Sequence, residues 1–322
     1  MSDLRVLSNS SMWQSERWNH AVTKIKRPTG ALAAPRLAWS LLRQRRNFDV
    51  VYTVGVREAQ MYGLLCALFG AGGKPHIASE ILLDENRPAN LVWRMKRTVR
   101  RFALRRVRRL IVFSSGEREL YARQLDLPLE RIVFVPFHTN ILEPAALPAG
   151  TYGFAAGRSL RDYKTFFAAV EDLPQQFIVV ADRASVAGLA RPANVELHCD
   201  IPRKKYLELL EGAQYVVVPL KAEFRSTGQV VVLEAASLGK PVIASNVVGV
   251  RDYITDGVDG LLVPPGDPAA LRAAIQRVAS DPALSSELAA HALQRVLAGH
   301  TFDQFAERCL AVMAAAAAEN RG

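Results

Sequence analysis

Short apolar runs alternate with segments of helical periodicity along most of this chain. In the first half, apolar runs of strand length predict strands at residues 4–7, 49–54, 75–78, 110–114 and 131–136. Between them, apolar residues repeat every three or four positions and predict helices at residues 34–46, 58–69, 91–110 and 117–125. Strands that alternate with helices predict an α/β fold with a parallel, doubly wound sheet.

The alternation is interrupted once, near the middle of the chain. Residues 137–152 contain prolines and a glycine and lack periodicity, so they are predicted to form a linker. Beyond it the alternation restarts, with strands predicted at residues 153–156, 177–181, 195–198, 215–219, 242–244 and 260–263. We therefore predict two Rossmann-like domains, residues 1–146 and 147–322, that face each other across a ligand-binding cleft. The last helix is a candidate to pack back on the first domain.

The composition indicates a folded protein in a reducing compartment. Of 322 residues, 50% are hydrophobic and 22% are charged. The three cysteines, Cys66, Cys199 and Cys309, lie far apart and form no metal-binding or redox motif. The N-terminus lacks a signal-peptide pattern, and no apolar run reaches the roughly 20 residues of a membrane span. We therefore expect a cytoplasmic protein.

Residues 218–268 carry the strongest chemical signal. A strand ends near Pro219, a polar loop ends at Gly228, and a helix begins near Gln229 and carries Glu234. A glycine-containing loop that leads into a helix presents free backbone N–H groups and the positive end of the helix dipole to an anion. A carboxylate in the second turn can accept hydrogen bonds from a ribose diol, so the pattern favours a nucleotide. The structural alternative is an ordinary capped helix in a βαβ unit.

Several motifs in the second half resemble glycosyltransferase family 4, the retaining GT-B enzymes with nucleotide-sugar donors. They are Gly157-Arg158 with Lys164, the segment from Gly228 to Glu234, Gly239-Lys240-Pro241, Asp256-Gly257 and residues 260–264. The resemblance implies a GT-B fold, a role in polysaccharide biosynthesis, and a donor site without a metal or other cofactor.

The resemblance also implies roles for individual residues. Arg158 and Lys164 would hold the donor diphosphate, with the N–H groups of Gly228, Gln229 and Val230, and Glu234 would bind the ribose. Arg161, in the same loop, is a weaker candidate for phosphate binding. In the first domain, His76 is a candidate to face the acceptor and the donor sugar.

One position departs from the family pattern. The family has two glutamates eight residues apart, and Ser226 occupies the place of the first, which contacts the donor sugar. A serine can still bind a sugar hydroxyl, but it carries no charge to stabilise an oxocarbenium ion. We interpret this change as altered donor handling by an active enzyme.

Positive charge is concentrated in the first half of the chain. Residues 1–146 hold 24 Lys or Arg against 12 Asp or Glu, and residues 91–110 hold nine basic residues and no acidic one. An apolar stripe through Val92, Met95 and Val99 is expected to pack this helix on the sheet. The cationic side then faces solvent, where an anionic membrane surface, nucleic acid or plain solvation are the alternatives.

The function predicted from the sequence is transfer of a hexosyl-type sugar from a nucleotide sugar to an acceptor, with retention. The acceptor is expected to be a lipid-linked glycan or glycolipid, reached by peripheral attachment to the inner face of the cell membrane, and no nucleic-acid partner is expected. A non-catalytic nucleotide-sugar-binding subunit of a glycan assembly complex and a GT-B nucleotide-sugar epimerase are the alternatives.

Overall fold

Two parallel six-stranded sheets organise the chain, one in each of two units. The structure, a computed structural model, describes residues 4–10, 12, 14–26, 28–70, 73–81, 83 and 91–320. The first unit consists of Met1–Val135 and Phe302–Gly322, and the second is Pro136–Thr301. This arrangement confirms the predicted α/β class with a Rossmann-like sheet in each half of the chain.

The first sheet has the strand order β2-β1-β3-β4-β5-β6, and all its pairs are parallel. Its elements are β1 (Val6–Ser8), α1 (Glu16–Ala21), β2 (Val22–Lys24), α2 (Ala33–Gln44), β3 (Val50–Val54), α3 (Val56–Phe69), β4 (His76–Ser79), α4 (Leu91–Leu104), β5 (Val107–Val112), α5 (Arg118–Leu125) and β6 (Ile132–Phe134). The sequence did not predict β2, because this short edge strand is largely exposed and lacks a buried apolar run.

The second sheet has the strand order β12-β11-β10-β7-β8-β9, again with only parallel pairs. Its elements are β7 (Tyr152–Ala156), α6 (Tyr163–Val170), β8 (Phe177–Ala181), α7 (Arg183–Val186), β9 (Val195–Cys199), α8 (Arg203–Glu211), β10 (Ala213–Val218), α9 (Gln229–Ser237), β11 (Val242–Ser245), β12 (Leu261–Val263), α10 (Pro268–Ser280) and α11 (Pro282–Gly299). The chain reverses its winding between β7 and β10. In sheets of this kind, ligands bind at the carboxyl ends of the strands beside that reversal.

The last helix, α12 (Phe302–Glu319), belongs to the first unit. Its Glu319 binds two arginines of β5: Arg108 Nε donates to Oε2 at 2.9 Å, and Arg109 donates to Oε1. The chain thus returns to its first sheet after completing the second.

The segment predicted as a linker is part of the second unit. The Ala145 N–H donates to the Ser237 carbonyl at 2.9 Å, and the Leu147 N–H donates to the Leu238 carbonyl at 3.0 Å. The buried Lys240 ammonium donates to the Pro148 carbonyl at 2.7 Å. These bonds hold the segment against the end of α9, and the units divide after Val135, ahead of the boundary predicted after residue 146.

Helix α4 is shorter than predicted, and its apolar side is exposed instead of packed on the sheet. It ends at Leu104, and Val107 and Leu110 instead pair with β4 as part of β5. Val92, Met95, Val99 and Phe102 of the predicted stripe are 44–60% exposed, and the neighbouring Leu91 is 72% exposed. The helix is held to the unit partly through Ala103, whose carbonyl occupies the space that a Cβ on Gly63 would take. Its apolar stripe is therefore on the outside.

Candidate functional site

A cavity of about 490 Å³ lies at the carboxyl ends of β7, β8 and β9, beside the loop that follows β10. This is the edge where the second sheet reverses its winding, so the topology alone predicts a ligand site here. The lining residues come from three loops, the end of β8, and the helices α8 and α9: Gly157, Arg158, Ser159, Arg161, Val180, Ala181, Asp200, Ile201, Arg203, Tyr206, Ser226, Thr227, Gly228, Gln229, Val230, Val231 and Glu234.

The first turn of α9 forms one wall of the cavity. Gly228 precedes the helix with a φ of +94°, a left-handed conformation that favours glycine, and an added Cβ would come within 2.9 Å of Leu220. No side chain caps this end of the helix, and the first turn contains no acidic residue. The backbone N–H groups of Gln229, Val230 and Val231 have no acceptor within the helix and suit an anion.

Arg161 places a buried cation in the same cavity. Its side chain is 7% exposed, and its guanidinium donates to the Ala156 carbonyl at 2.8 Å and to the Ser159 carbonyl at 3.0 Å. Burial lowers the pKa of Arg161, and only tyrosines oppose that shift. No carboxylate among the described residues pairs with this guanidinium, and none of them neutralises its positive charge.

Gln229 adds a second polar side chain to the cavity wall. Its side chain is 7% exposed, it lines the cavity, and its Nε2 has no hydrogen-bond partner among the described residues. A buried amide without a partner is costly, and a ligand oxygen would satisfy it. The cavity thus combines helix N–H groups, a guanidinium and an amide N–H, all of which are donors to an anionic ligand.

The residues predicted to hold the diphosphate separate in the structure. Arg158 is exposed and lines the cavity, as the sequence predicted for a phosphate contact. Lys164 is exposed on the first turn of α6 and is absent from the cavity lining. Arg161, three residues earlier in the loop before α6, lines the cavity instead, because α6 begins at Tyr163 and places Lys164 on its exposed side.

Glu234 is completely buried and lies at the other side of the cavity. Arg203 binds it with two hydrogen bonds, Nη1 to Oε2 at 3.0 Å and Nη2 to Oε1 at 2.7 Å. The Tyr206 hydroxyl donates to Oε2 at 2.8 Å, and Asn140 Nδ2 donates to Oε1 at 3.1 Å. Burial opposes the charge on Arg203, but its bonds to Glu234 outweigh that effect and raise the Arg203 pKa.

Sequence reasoning missed Arg203 and Asn140 as partners of Glu234. The available signal was a lone carboxylate inside the apolar run of α9, since a buried carboxylate requires a partner. The partners lie 31 and 94 residues away in the sequence, so no local pattern pointed to them. Ser226, predicted to lie near the donor sugar, is half-buried and lines the cavity.

His76 does not have the position expected of a residue that touches substrate. It is the first residue of β4, whereas ligands of parallel sheets bind at the carboxyl ends of strands. Its ring is buried, packs edge-on against Tyr62 at 4.8 Å, and shares a 2.8 Å hydrogen bond between Nε2 and Thr53 Oγ1. Burial lowers the His76 pKa to about 3. The structure therefore describes a neutral core histidine of the first unit.

Two family models match the chain. The model described as glycosyl transferases group 1 matches residues 160–281, and that described as glycosyl transferase 4-like domain matches residues 11–138. The chain belongs to the GT4-like glycosyltransferases. The GT-B fold predicted from the sequence is thereby confirmed, and the cavity lies mostly within the part matched by the first model.

Curated relatives of this chain include proteins named D-inositol 3-phosphate glycosyltransferase. The D-inositol 3-phosphate glycosyltransferase of Salinispora tropica is 31% identical over 225 residues, which cover 65% of this chain and 44% of the relative. The D-inositol 3-phosphate glycosyltransferase 1 of Catenulispora acidiphila is 35% identical over 139 residues, which cover 43% of this chain and 32% of the relative. The matched part thus spans less than half the length of each relative.

Solved structures share the fold of this glycosyltransferase at low identity. The sucrose-phosphate synthase from Thermosynechococcus elongatus superposes with a TM-score of 0.72 at 23% identity, covering 91% of this chain and 83% of that one. Anabaena HepE in complex with UDP-glucose has a TM-score of 0.70 at 17% identity, covering 92% and 87%. Identities this low establish the fold alone.

Proposed function

We propose that this glycosyltransferase transfers a hexosyl-type sugar from a nucleoside-diphosphate donor to an acceptor with retention of the anomeric configuration. The observation that carries the proposal is the buried Arg161 guanidinium, which lines the same cavity as the first turn of α9. A buried charge is costly unless it is paired. A diphosphate supplies the negative charge that completes this site, and it can accept from the helix N–H groups at the same time.

The remaining lining residues fit the other parts of such a donor. The diphosphate lies between Arg161, Arg158 and the first turn of α9, and the Gln229 amide donates to a phosphate or sugar oxygen. The ribose extends toward Glu234. Ser226 provides a hydroxyl for the sugar, without the charge of the family's glutamate.

The transfer step follows from this placement. The bond between the anomeric carbon and the β-phosphate oxygen breaks, and negative charge grows on that oxygen. The positive groups around the diphosphate stabilise this charge where it develops. The acceptor oxygen bonds to the anomeric carbon on the face that the diphosphate leaves, and the acceptor proton passes to the departing diphosphate. No group of three or more His, Cys, Asp or Glu able to hold a metal ion occurs among the described residues.

The acceptor in this proposal is lipid-linked and is reached at an anionic membrane surface. The support comes from α4, whose exposed apolar stripe is accompanied by the exposed cations Arg94, Lys96, Arg97, Arg105 and Arg106. A helix with an outward apolar side and a one-signed polar side is typical of helices that lie in the plane of a membrane interface. None of the helices in the described ranges is both long and apolar enough to cross a membrane.

The second candidate for the acceptor is a soluble phosphorylated molecule. Several curated relatives carry the name D-inositol 3-phosphate glycosyltransferase, and that name specifies a phosphorylated polyol as their acceptor. A small anion of this kind does not account for an exposed apolar stripe, so we place it second.

A donor-binding subunit without transferase activity is the second candidate function. The specific observation behind it is Ser226 at the cavity wall, because a serine leaves the site without the charge that stabilises an oxocarbenium ion. Such a protein would bind the nucleotide sugar and leave it intact.

The test is a ligand screen followed by a transfer assay. We expect UDP or GDP and the matching nucleotide sugar to raise the melting temperature, because they bind the native state alone. The active donor is then offered with lipid extract in anionic vesicles or with inositol 3-phosphate, and NMR of the product reports the anomeric configuration. Stabilisation without transfer to any acceptor would favour the binding subunit. Stabilisation by an oligonucleotide and by no nucleotide would contradict the proposal.

A further inference from the structure

The carboxylate expected to bind ribose is already saturated. A carboxylate has about four lone-pair positions. In Glu234 these are taken by two bonds from Arg203, one from Tyr206 and one from Asn140. The side chain of Glu234 has no exposed surface. A ribose diol therefore cannot reach this carboxylate unless one of the present donors leaves.

Arg203 is the donor best placed to leave. It bonds both oxygens of Glu234, so its departure frees two adjacent acceptor positions, which a vicinal diol can fill. Its side chain is 47% exposed and lines the cavity, whereas Asn140 is absent from the lining. Arg203 is the first residue of α8 and its guanidinium lies 4.9 Å from the centre of the Tyr206 ring, which can hold the cation after it leaves the carboxylate.

We propose that Arg203 competes with the donor ribose for Glu234 and thereby sets how strongly the protein discriminates nucleotides by their diol. This inference rests on the proposed donor site. When no donor is bound, Arg203 neutralises the buried Glu234 carboxylate, which would otherwise be destabilising. In the complex the diol takes its place, so part of the diol's binding free energy is used to displace the arginine. Glu234 cannot bind Arg203 and the ribose diol through the same oxygen positions. A weaker bond to Arg203 therefore strengthens the binding of the diol.

The experiment compares a nucleotide with its diol-free analogue. Dissociation constants for UDP and 2′,3′-dideoxy-UDP, or for the GDP pair if GDP is the nucleotide that binds, are measured by calorimetry. The dissociation constant of the diol-free analogue divided by that of the nucleotide isolates the contact between the ribose and Glu234. We expect this ratio to rise at least about tenfold in Arg203→Met, because the diol no longer displaces a bidentate ion pair. Lys205→Met is the matched control, since Lys205 is an exposed cation of the same helix that pairs with Glu208.

Arg203→Lys covers the case in which the methionine variant does not fold. A lysine keeps the charge but lacks the two-pronged geometry, so the ratio should rise less than in the methionine variant and more than in the control. A ratio that stays unchanged or falls in both Arg203 variants, with UDP or GDP still bound, would overturn this inference alone. Failure of the wild-type protein to bind either nucleotide would overturn the proposed donor site and, with it, this inference.

Discussion

Two regions of the chain hold positive charge that no described carboxylate neutralises, and they hold it in opposite ways. In the second unit, the single Arg161 guanidinium is buried and fixed by backbone carbonyls. In the first unit, α4 presents a row of exposed cations beside an exposed apolar stripe. An enclosed cation selects one small anion by geometry, whereas a row of exposed cations suits an extended anionic surface. Under the function proposed above, the two regions would bind two different anionic partners, a diphosphate and a membrane.

The largest expected effect lies in α4 and in Arg105, which directly follows it. We expect replacement of Arg94, Lys96, Arg97 and Arg105 by Gln to weaken binding to phosphatidylserine vesicles about a thousandfold, since each basic residue near such a surface contributes about 1 kcal/mol. Vesicle sedimentation at low ionic strength measures this. Binding by the wild-type protein should fall steeply with added salt.

The matched control removes the same charge elsewhere on the first unit. Lys26, Arg36, Arg43 and Arg46 are exposed and lie outside α4. If their replacement by Gln weakens vesicle binding as much as the α4 replacements do, net charge accounts for the binding and α4 is not the docking surface.

His76 of the first unit differs from the cations of both regions, because burial favours its neutral form. The His76 pKa is lowered to about 3 by burial, below its value of about 6.5 in an unfolded chain. The unfolded chain therefore takes up the proton first. The stability that comes from keeping His76 neutral is complete above pH 6.5 and is lost as the pH falls toward 3.

The change that tests this is His76→Gln. Between pH 6.5 and 4.5 the wild-type protein should lose about 2 kcal/mol of unfolding free energy through His76, and the variant should lack that part of the slope. Urea denaturation at a series of pH values measures both. Equal slopes for the two proteins would mean that His76 is protonated in the folded state, and it would then remain a candidate for catalysis.

Arg161 gives the next effect in size. We expect Arg161→Met to weaken UDP or GDP binding about 10- to 150-fold, the range for one hydrogen bond to a charged group of 1.5–3 kcal/mol. Stability should change by no more than about 1 kcal/mol, because the variant loses a buried charge together with its bonds to carbonyls. Unlike vesicle binding, this contact is enclosed, so the difference between variant and wild type should change little with salt. An unchanged nucleotide affinity would contradict the assignment.

Much of the fold could be predicted because it depends on local patterns. Apolar runs marked every strand of the two sheets except β2, and the glycine before an apolar helix marked the start of α9. That local pattern singled out Gly228 and the resemblance singled out Ser226, and both residues line the cavity in the structure. These features depend on neighbours within a few residues, so one sequence contains the information.

The rest depends on contacts that periodicity does not encode. The stripe on α4 showed that one face is apolar but not whether protein covers it, and in the structure nothing in the described ranges buries it. The partners of Glu234 come from two distant segments. Arg161 and Lys164 are only three residues apart, yet Arg161 lies in the loop before α6 and lines the cavity, whereas Lys164 lies on the first turn of α6 outside the lining.

The smallest expected effect belongs to Lys164, and it decides between the structure and the resemblance. Lys164 is exposed and outside the cavity lining, so its charge is screened by solvent from an anion in the cavity. We expect Lys164→Met to change nucleotide affinity by less than about twofold, as for most surface substitutions. Calorimetry beside Arg161→Met makes the pair a matched test, since the two changes remove cations that are three residues apart in the sequence. A loss as large as that of Arg161→Met would mean that Lys164 turns inward when the diphosphate binds, and the contrast between enclosed and exposed cations would then fail at this loop.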